Sequence, residues 1–279
     1  MSQYRSPYAE SYLREDAAGE AYERGISNKF ELAIFELEKL QLDRIYTRWL
    51  RDRGDFAYLD YATGTGRILT LFDDKTTVKF AVDSSSLQME HAKSRVPGAI
   101  FLVDNIVTNP GCLPIRFELI TCFRLLLNLE KENRLPVLQN LSKALKDDGI
   151  LVIDNHMNRY SILGLIAYAM KHWLGYKDKN AETSGQKRII NTMSQREMVE
   201  LLNTAGFEVT NVYRVMVLPG YKRWTLLPMP LLVPVERILA AIPGINRFSK
   251  NQIFVCEKRL ADQTGFQRCQ SDPMGAPRC

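Results

Sequence analysis

Three aspartates in this chain each close a short apolar run. Asp60 lies in Tyr58-Leu59-Asp60-Tyr61, Asp83 ends Lys79-Phe80-Ala81-Val82-Asp83, and Asp104 ends Ile100-Phe101-Leu102-Val103-Asp104. Asp60 runs directly into a turn of small residues, Ala62-Thr63-Gly64-Thr65-Gly66. Few side chains hold a ligand off such a turn, so a ligand can reach its backbone. A carboxylate beside it suits a ligand that is cationic or rich in hydroxyls. Acids at the carboxyl ends of successive strands meet at one crevice of an open α/β sheet, where such folds bind ligands. A fourth candidate is His156, in Asp154-Asn155-His156-Met157-Asn158-Arg159. Its imidazole titrates near neutral pH and suits proton transfer. The alternative is a structural histidine hydrogen-bonded to a loop.

These residues need an alternating scaffold, and the pattern supplies one. Strands are expected at 57–61, 78–82, 100–103, 117–122 and 149–154, with helices at 67–72, 85–95 and 131–146 between them. That alternation is the signature of a parallel sheet with crossover helices. A helix over about 29–53 precedes it. Phe30, Ala33, Ile34, Leu37, Leu40, Ile45 and Trp49 recur on it at helical spacing, Asn28 with Glu31 reads as a capping box, and Gly54 ends it. This helix is expected to pack on the sheet. A second capping box, Ser194 with Glu197, starts a helix over 194–205. Strands at 207–217 and 252–258 complete the pattern.

The 279 residues are enough for one large domain with insertions. The division expected is an N-terminal helical cap over 1–54, a core domain over 55–258 and a disordered tail over 259–279. Five cysteines without a C-x-x-C pair give neither a disulfide framework nor a zinc site. Cys122 and Cys256 read as buried small hydrophobes. A reducing cytoplasm fits this usage. No run reaches the roughly 18 apolar residues of a membrane-spanning helix. The net charge of +5 is uneven: residues 156–250 carry 13 Lys/Arg against 6 Asp/Glu, and the remainder 24 against 26. Within that basic region two apolar insertions, 157–190 and 218–250, interrupt the scheme.

In these motifs the chain resembles the class I S-adenosylmethionine-dependent methyltransferases, most clearly over residues 55–155. Asp60-x-Ala62-x-Gly64-x-Gly66 resembles the family's first motif, with Ala62 in place of its first glycine. Asp83-Ser84-Ser85, Asp104-Asn105-Ile106, the lead-in Leu113–Ile120 with Glu118 where Asp is usual, and Leu145–Val152 resemble the later motifs in order. The resemblance implies a Rossmann-like, seven-stranded, mostly parallel sheet with helices on both faces. It implies S-adenosylmethionine as cofactor. The amides of turn 62–66, Thr63 included, would approach its methionine and ribose portions, and Asp60 its ammonium. Asp83, with Ser84 beside it, would take the ribose hydroxyls. Asp104 would take the adenine amine, with the Asn105 and Ile106 amides near the ring. Phe123 would line the methionine side.

His156 would then be the base for a hydroxyl acceptor. Arg124, Asn128 and Arg159 would orient that acceptor. The insertions, with Arg159, Lys171, Lys222 and Arg223, suit an amphipathic acceptor bearing an acidic or sugar head, or they only add core. Mixed basic and apolar residues also suit peripheral membrane contact. The absence of N-P-P-Y argues against nucleic acid as substrate. Residues 1–26, with four tyrosines, are candidates for a lid over the cofactor. Two other functions remain open: a nicotinamide-dependent oxidoreductase, although Leu69 stands where G-x-G-x-x-G needs its third glycine, and a non-catalytic binding protein on the same fold.

Overall fold

The computed structural model describes residues 28–104, 109, 113–173, 191–221 and 224–259. The lid candidate at 1–26, Asn105, Ile106, Lys222, Arg223, the Lys171 side chain, three of the cysteines and nearly all of the tail lie outside the described residues.

Seven strands form one sheet: β1 Ala57–Tyr61, β2 Val78–Asp83, β3 Ile100–Val103, β4 Phe117–Cys122, β5 Leu145–Asn155, β6 Phe207–Val215 and β9 Asn251–Lys258. Their order is β3-β2-β1-β4-β5-β9-β6. The first five run parallel, whereas β9 pairs antiparallel with both β5 and β6. A small separate hairpin pairs β7 Gly220–Tyr221 with β8 Trp224–Thr225.

Alternation along the central strands builds two cores. Leu151 and Ile153 of β5 with Phe254 and Cys256 of β9 face α3 (Lys131–Ala144) and α5 (Gln195–Thr204). Val152 of β5 with Ile253 and Val255 of β9 face the other way, toward α1 (Lys29–Ile45) and α2 (Ser86–Arg95). This is the period of two expected of strands covered on both faces. Cys122 and Cys256 are buried free thiols in the first core, as their surroundings suggested.

The α1 helix is part of the second core. Phe30, Ala33, Ile34, Leu37, Leu42 and Ile45 pack there with Tyr58 and Val255. It continues as a π-helical turn, Tyr46–Leu50, and a short 3₁₀ turn that stops at Gly54. One expectation at its start is corrected. Asn28 accepts from the Glu31 amide at 3.1 Å, but the Glu31 carboxylate turns to Arg124 instead of closing the capping box. The Ser194–Glu197 box is complete.

The insertions supply α4 (Ile162–His172) and α6 (Met229–Ala241), both against the α1 side of the sheet. Asn158, ahead of α4, donates through Nδ2 to the carbonyls of Arg247 and Ser249, which follow α6. Glu236 of α6 is buried, and its carboxylate accepts from the amides of Val217 and Leu218. The two insertions are thus tied to each other and to the end of β6.

Candidate active site

The turn after β1 is held by backbone conformation and by the two neighbouring acids. Ala62, Gly64 and Gly66 all have positive φ, at 62°, 54° and 82°. The glycine that the first motif leads one to expect at position 62 is therefore replaced by a residue in the left-handed region. This departure strains the backbone, by roughly 1–2 kcal/mol. At Gly66 a Cβ would stand 3.0 Å from both Cα and Cβ of Ala92, so only glycine lets α2 approach the turn. At Gly64 a Cβ would meet nothing within 4 Å, which leaves open space against the backbone.

Asp83 links this turn to α2. Its Oδ2 accepts from the Gly64 amide at 2.8 Å and its Oδ1 from the Ser85 amide at 2.9 Å. Burial pushes its pKa up, against those amide bonds. Ser85 caps α2; the half-buried Ser84 stands just before the cap. Asp60 is buried under the turn, its oxygens accepting from Thr63 Oγ1 and from Thr121 Oγ1, the latter at 2.7 Å. Thr121 in turn is 2.8 Å from the Tyr58 hydroxyl. Burial raises Asp60 to about 6, although both hydroxyls favour its charged form. Asp104 joins the edge through its amide, which donates to the Asp83 carbonyl, and its Oδ2 accepts from Asn109.

A cleft opens beside this turn. Its walls are Asp60, residues 62–65, Arg67, Ile68, Phe123, Arg124 and, from α1, Glu38. The sequence reading found the turn, Phe123 and Arg124 but missed Glu38 and Arg67. Glu38 lies four residues after Ile34 and four before Leu42, on the apolar stripe of α1. A carboxylate at a stripe position was the available signal. Arg67 lies over the Phe35 ring at 4.3 Å, also on α1.

On the β4–β5 side the cleft borders a cluster of charges. Arg124, at φ 57°, donates its amide to Asp154 Oδ1 at 2.7 Å, and its guanidinium meets Glu31 at 2.9 Å. Asn251 Nδ2 donates to Glu38 at 2.8 Å. Burial and then the Glu38 charge push Asp154 up to about 7. His156 is held down to about 3, by burial first and then by Arg124 and Lys250. Burial also lowers Lys250. Asp154 Oδ2 and His156 Nδ1 are buried with no hydrogen-bond partner among the described residues.

Not every residue expected at the site lies there. His156 is not among the residues that line the cleft, although the charge of Arg124, which does line it, helps to lower its pKa. Asn128 donates to the Arg124 carbonyl and shapes that loop. Arg159 turns away, pairing with Glu197 at 2.8 Å and lying over Tyr168, so it braces α4 against α5. Glu118 is at the opposite end of β4, where it accepts from the Ala57 amide and pairs with Lys146.

A family profile described as a methyltransferase domain matches residues 35–212, more than half of the chain. The chain belongs to this methyltransferase family. Solved structures agree on the fold. The magnesium protoporphyrin IX methyltransferase of Synechocystis with bound S-adenosylhomocysteine aligns at a TM-score of 0.59 and 11% identity, over 90% of this chain and 99% of that one. A possible histamine N-methyltransferase of Thermotoga maritima gives 0.55 and 17%, over 90% and 99%. The N-methyltransferase NodS of Bradyrhizobium japonicum with S-adenosylhomocysteine gives 0.54 and 12%, over 90% and 96%. Among curated proteins, none matches the sequence significantly.

The protein is therefore an S-adenosylmethionine-dependent methyltransferase, and the nicotinamide and non-catalytic readings fall away. Its turn fits that cofactor. The open space at Gly64 admits a ligand to the backbone, and the Asp83 carboxylate keeps acceptor capacity beyond the turn and cap amides.

Proposed function

We propose that this methyltransferase modifies an oxygen of a small or lipid- or sugar-linked acceptor, in the cytoplasm at a membrane surface. The observation that carries this reading is the second half of the cleft. It joins the apolar Phe123 to the ionic Arg124 and Glu38, which suits an acceptor with a greasy body and a polar head.

The cofactor, when bound, supplies an electrophilic methyl group. The chain's part is to place donor and acceptor in line and to exclude water. The backbone of 62–65 and the Asp83 carboxylate hold the donor, with Asp104 at the far edge and Phe123 along the methionine side. Arg124 orients the acceptor's acidic or hydroxylated head.

His156 Nδ1 is the proposed proton acceptor; because it does not line the cleft, it is reached through one bridging water. With its pKa near 3 the ring is neutral across the working range, so its lone pair is available. A base this weak takes the proton only as attack on the methyl makes the acceptor oxygen acidic. Asp154, two residues earlier in the chain, has an unpartnered buried oxygen and a pKa near 7, and is the carboxylate nearest in sequence to receive it.

The test is transfer of a carbon-13-labelled methyl from S-adenosylmethionine into a panel of phenols, glycolipids and polyprenyl-linked sugars. The chemical shift of the product methyl separates oxygen from nitrogen. A methoxyl signal is expected. Labelled N-methyl product alone would remove the oxygen assignment and leave the methyltransferase intact.

A further inference from the structure

Helices α4 and α6 turn apolar side chains outward. On α4, Gly164 and Ala167 face in, while Ile162, Leu165 and Ile166 face out, followed by Trp173 at 84% exposure. On α6, Leu232 and Glu236 face in, while Leu231 and Ile238 are 56% and 62% exposed. Of the sixteen large apolar side chains exposed among the described residues, eleven lie in 160–173 and 226–248. Asn158 ties the start of α4 to the segment after α6, so the loops beside these two helices lie together.

The charge on the same segments is one-sided. Residues 157–190 and 218–250 carry 11 Lys/Arg against 3 Asp/Glu; the rest of the chain carries 26 against 29. Among the described cations, Arg237 is exposed next to Ile238 in α6, and the exposed Arg247 covers the Phe248 ring at 5.1 Å.

We infer that α4 and α6 form a docking surface for an anionic lipid bilayer. The partner must offer hydrocarbon and negative charge together, and an anionic bilayer offers both. The helices have 11 and 13 residues, far short of the roughly 20 that span a bilayer. They therefore lie in the interface plane, with arginines at headgroup depth. A second copy of this chain on the same face would set like charges, Arg237 and Arg247, against one another. This inference rests on the proposed membrane-linked acceptor and gives that reading a place in the fold.

The experiment is flotation of the full chain with phosphatidylglycerol-containing vesicles and with pure phosphatidylcholine vesicles. Binding to the anionic vesicles at low salt is expected, at least about tenfold weaker to the neutral ones, and falling as salt rises. Ile166→Glu with Ile238→Glu changes only exposed positions. It should abolish binding while the thermal shift with S-adenosylhomocysteine stays that of the parent. Arg237→Glu with Arg247→Glu should weaken binding about tenfold or more. No flotation of the parent chain, or equal flotation of the Ile166→Glu, Ile238→Glu variant, would overturn the inference. So would a dimer in sedimentation velocity that this variant dissolves, since a second copy would then own the surface. Failure to methylate any lipid-linked acceptor would sink the acceptor reading and leave vesicle binding unaffected, so the two failures are distinguishable.

Discussion

The two halves of the cleft are built in different ways. The β1–β2 half is local: Asp60 meets Thr63 three residues away, and Asp83 meets Gly64 nineteen residues away. Its recognition surface is largely backbone, shaped by positive φ at 62, 64 and 66. The β4–β5 half is assembled from afar. Arg124 meets Asp154 thirty residues on, and Glu38 meets Asn251 across 213 residues. There side chains do the work, and each charge shifts its neighbours. A backbone cradle tolerates change around it. A charge cluster drawn from α1, β4, β5 and β9 can be retuned from any of those segments without touching the cradle.

The sharpest way to break this contrast is at the cradle. Gly66→Val adds a left-handed β-branched residue and a clash with Ala92, and should lower stability by about 3 kcal/mol or more in urea unfolding. Stability within 1 kcal/mol of the parent would mean that turn and α2 do not pack as described. Next in size, Asp83→Ala removes a carboxylate holding two amides at the turn and the cap. It should weaken S-adenosylhomocysteine binding by about 10–100-fold in calorimetry, the equivalent of one or two charge-assisted bonds. An unchanged affinity would move the cofactor's anchor elsewhere.

The charged half is best separated by pH. His156, at about 3 in the fold against about 6.5 unfolded, contributes stability that is present above 6.5 and lost as pH falls toward 3. Asp154 acts oppositely. Raised to about 7 from about 3.8, it makes the fold more stable as pH falls from 7 toward 4. In the parent the two trends offset one another. His156→Gln should leave the Asp154 trend alone, so the variant gains on the parent by about 1–2 kcal/mol between pH 7 and 5. Parallel thermal-stability profiles of parent and variant would show that His156 is not buried among these cations. The smallest effect is Ala62→Gly, which relieves the left-handed alanine. It should add about 0.5–1 kcal/mol and change cofactor affinity less than twofold.

The same division explains what the sequence could show. The cradle was legible because its parts are neighbours: strand, small-residue turn and acid recur within one stretch, and Ser194 with Glu197 declares its own helix start. Arg159 was placed at the site as a basic residue of the first insertion, but Glu197, brought alongside by the start of α5, takes it. Glu31 read as a cap because only Asn28 was near in sequence; Arg124 is the stronger partner. Glu118 looked like an altered site residue, yet it clamps Ala57 and Lys146 at the far end of the sheet. Glu38 was hidden because its reason for burial, the Asn251 amide and the cleft, lies at the other end of the chain.

The strand order has a consequence for synthesis. β9, the last described strand, lies between β5 and β6, and β6 pairs with nothing else in the sheet. A nascent chain emerging from the ribosome thus holds β6 ready with no place to dock, while the edge of β5 stays open. Only when Asn251–Lys258 appears can both be closed in one step. A chain cut short before that point would display two unpaired edges, the feature that invites aggregation and proteolytic disposal.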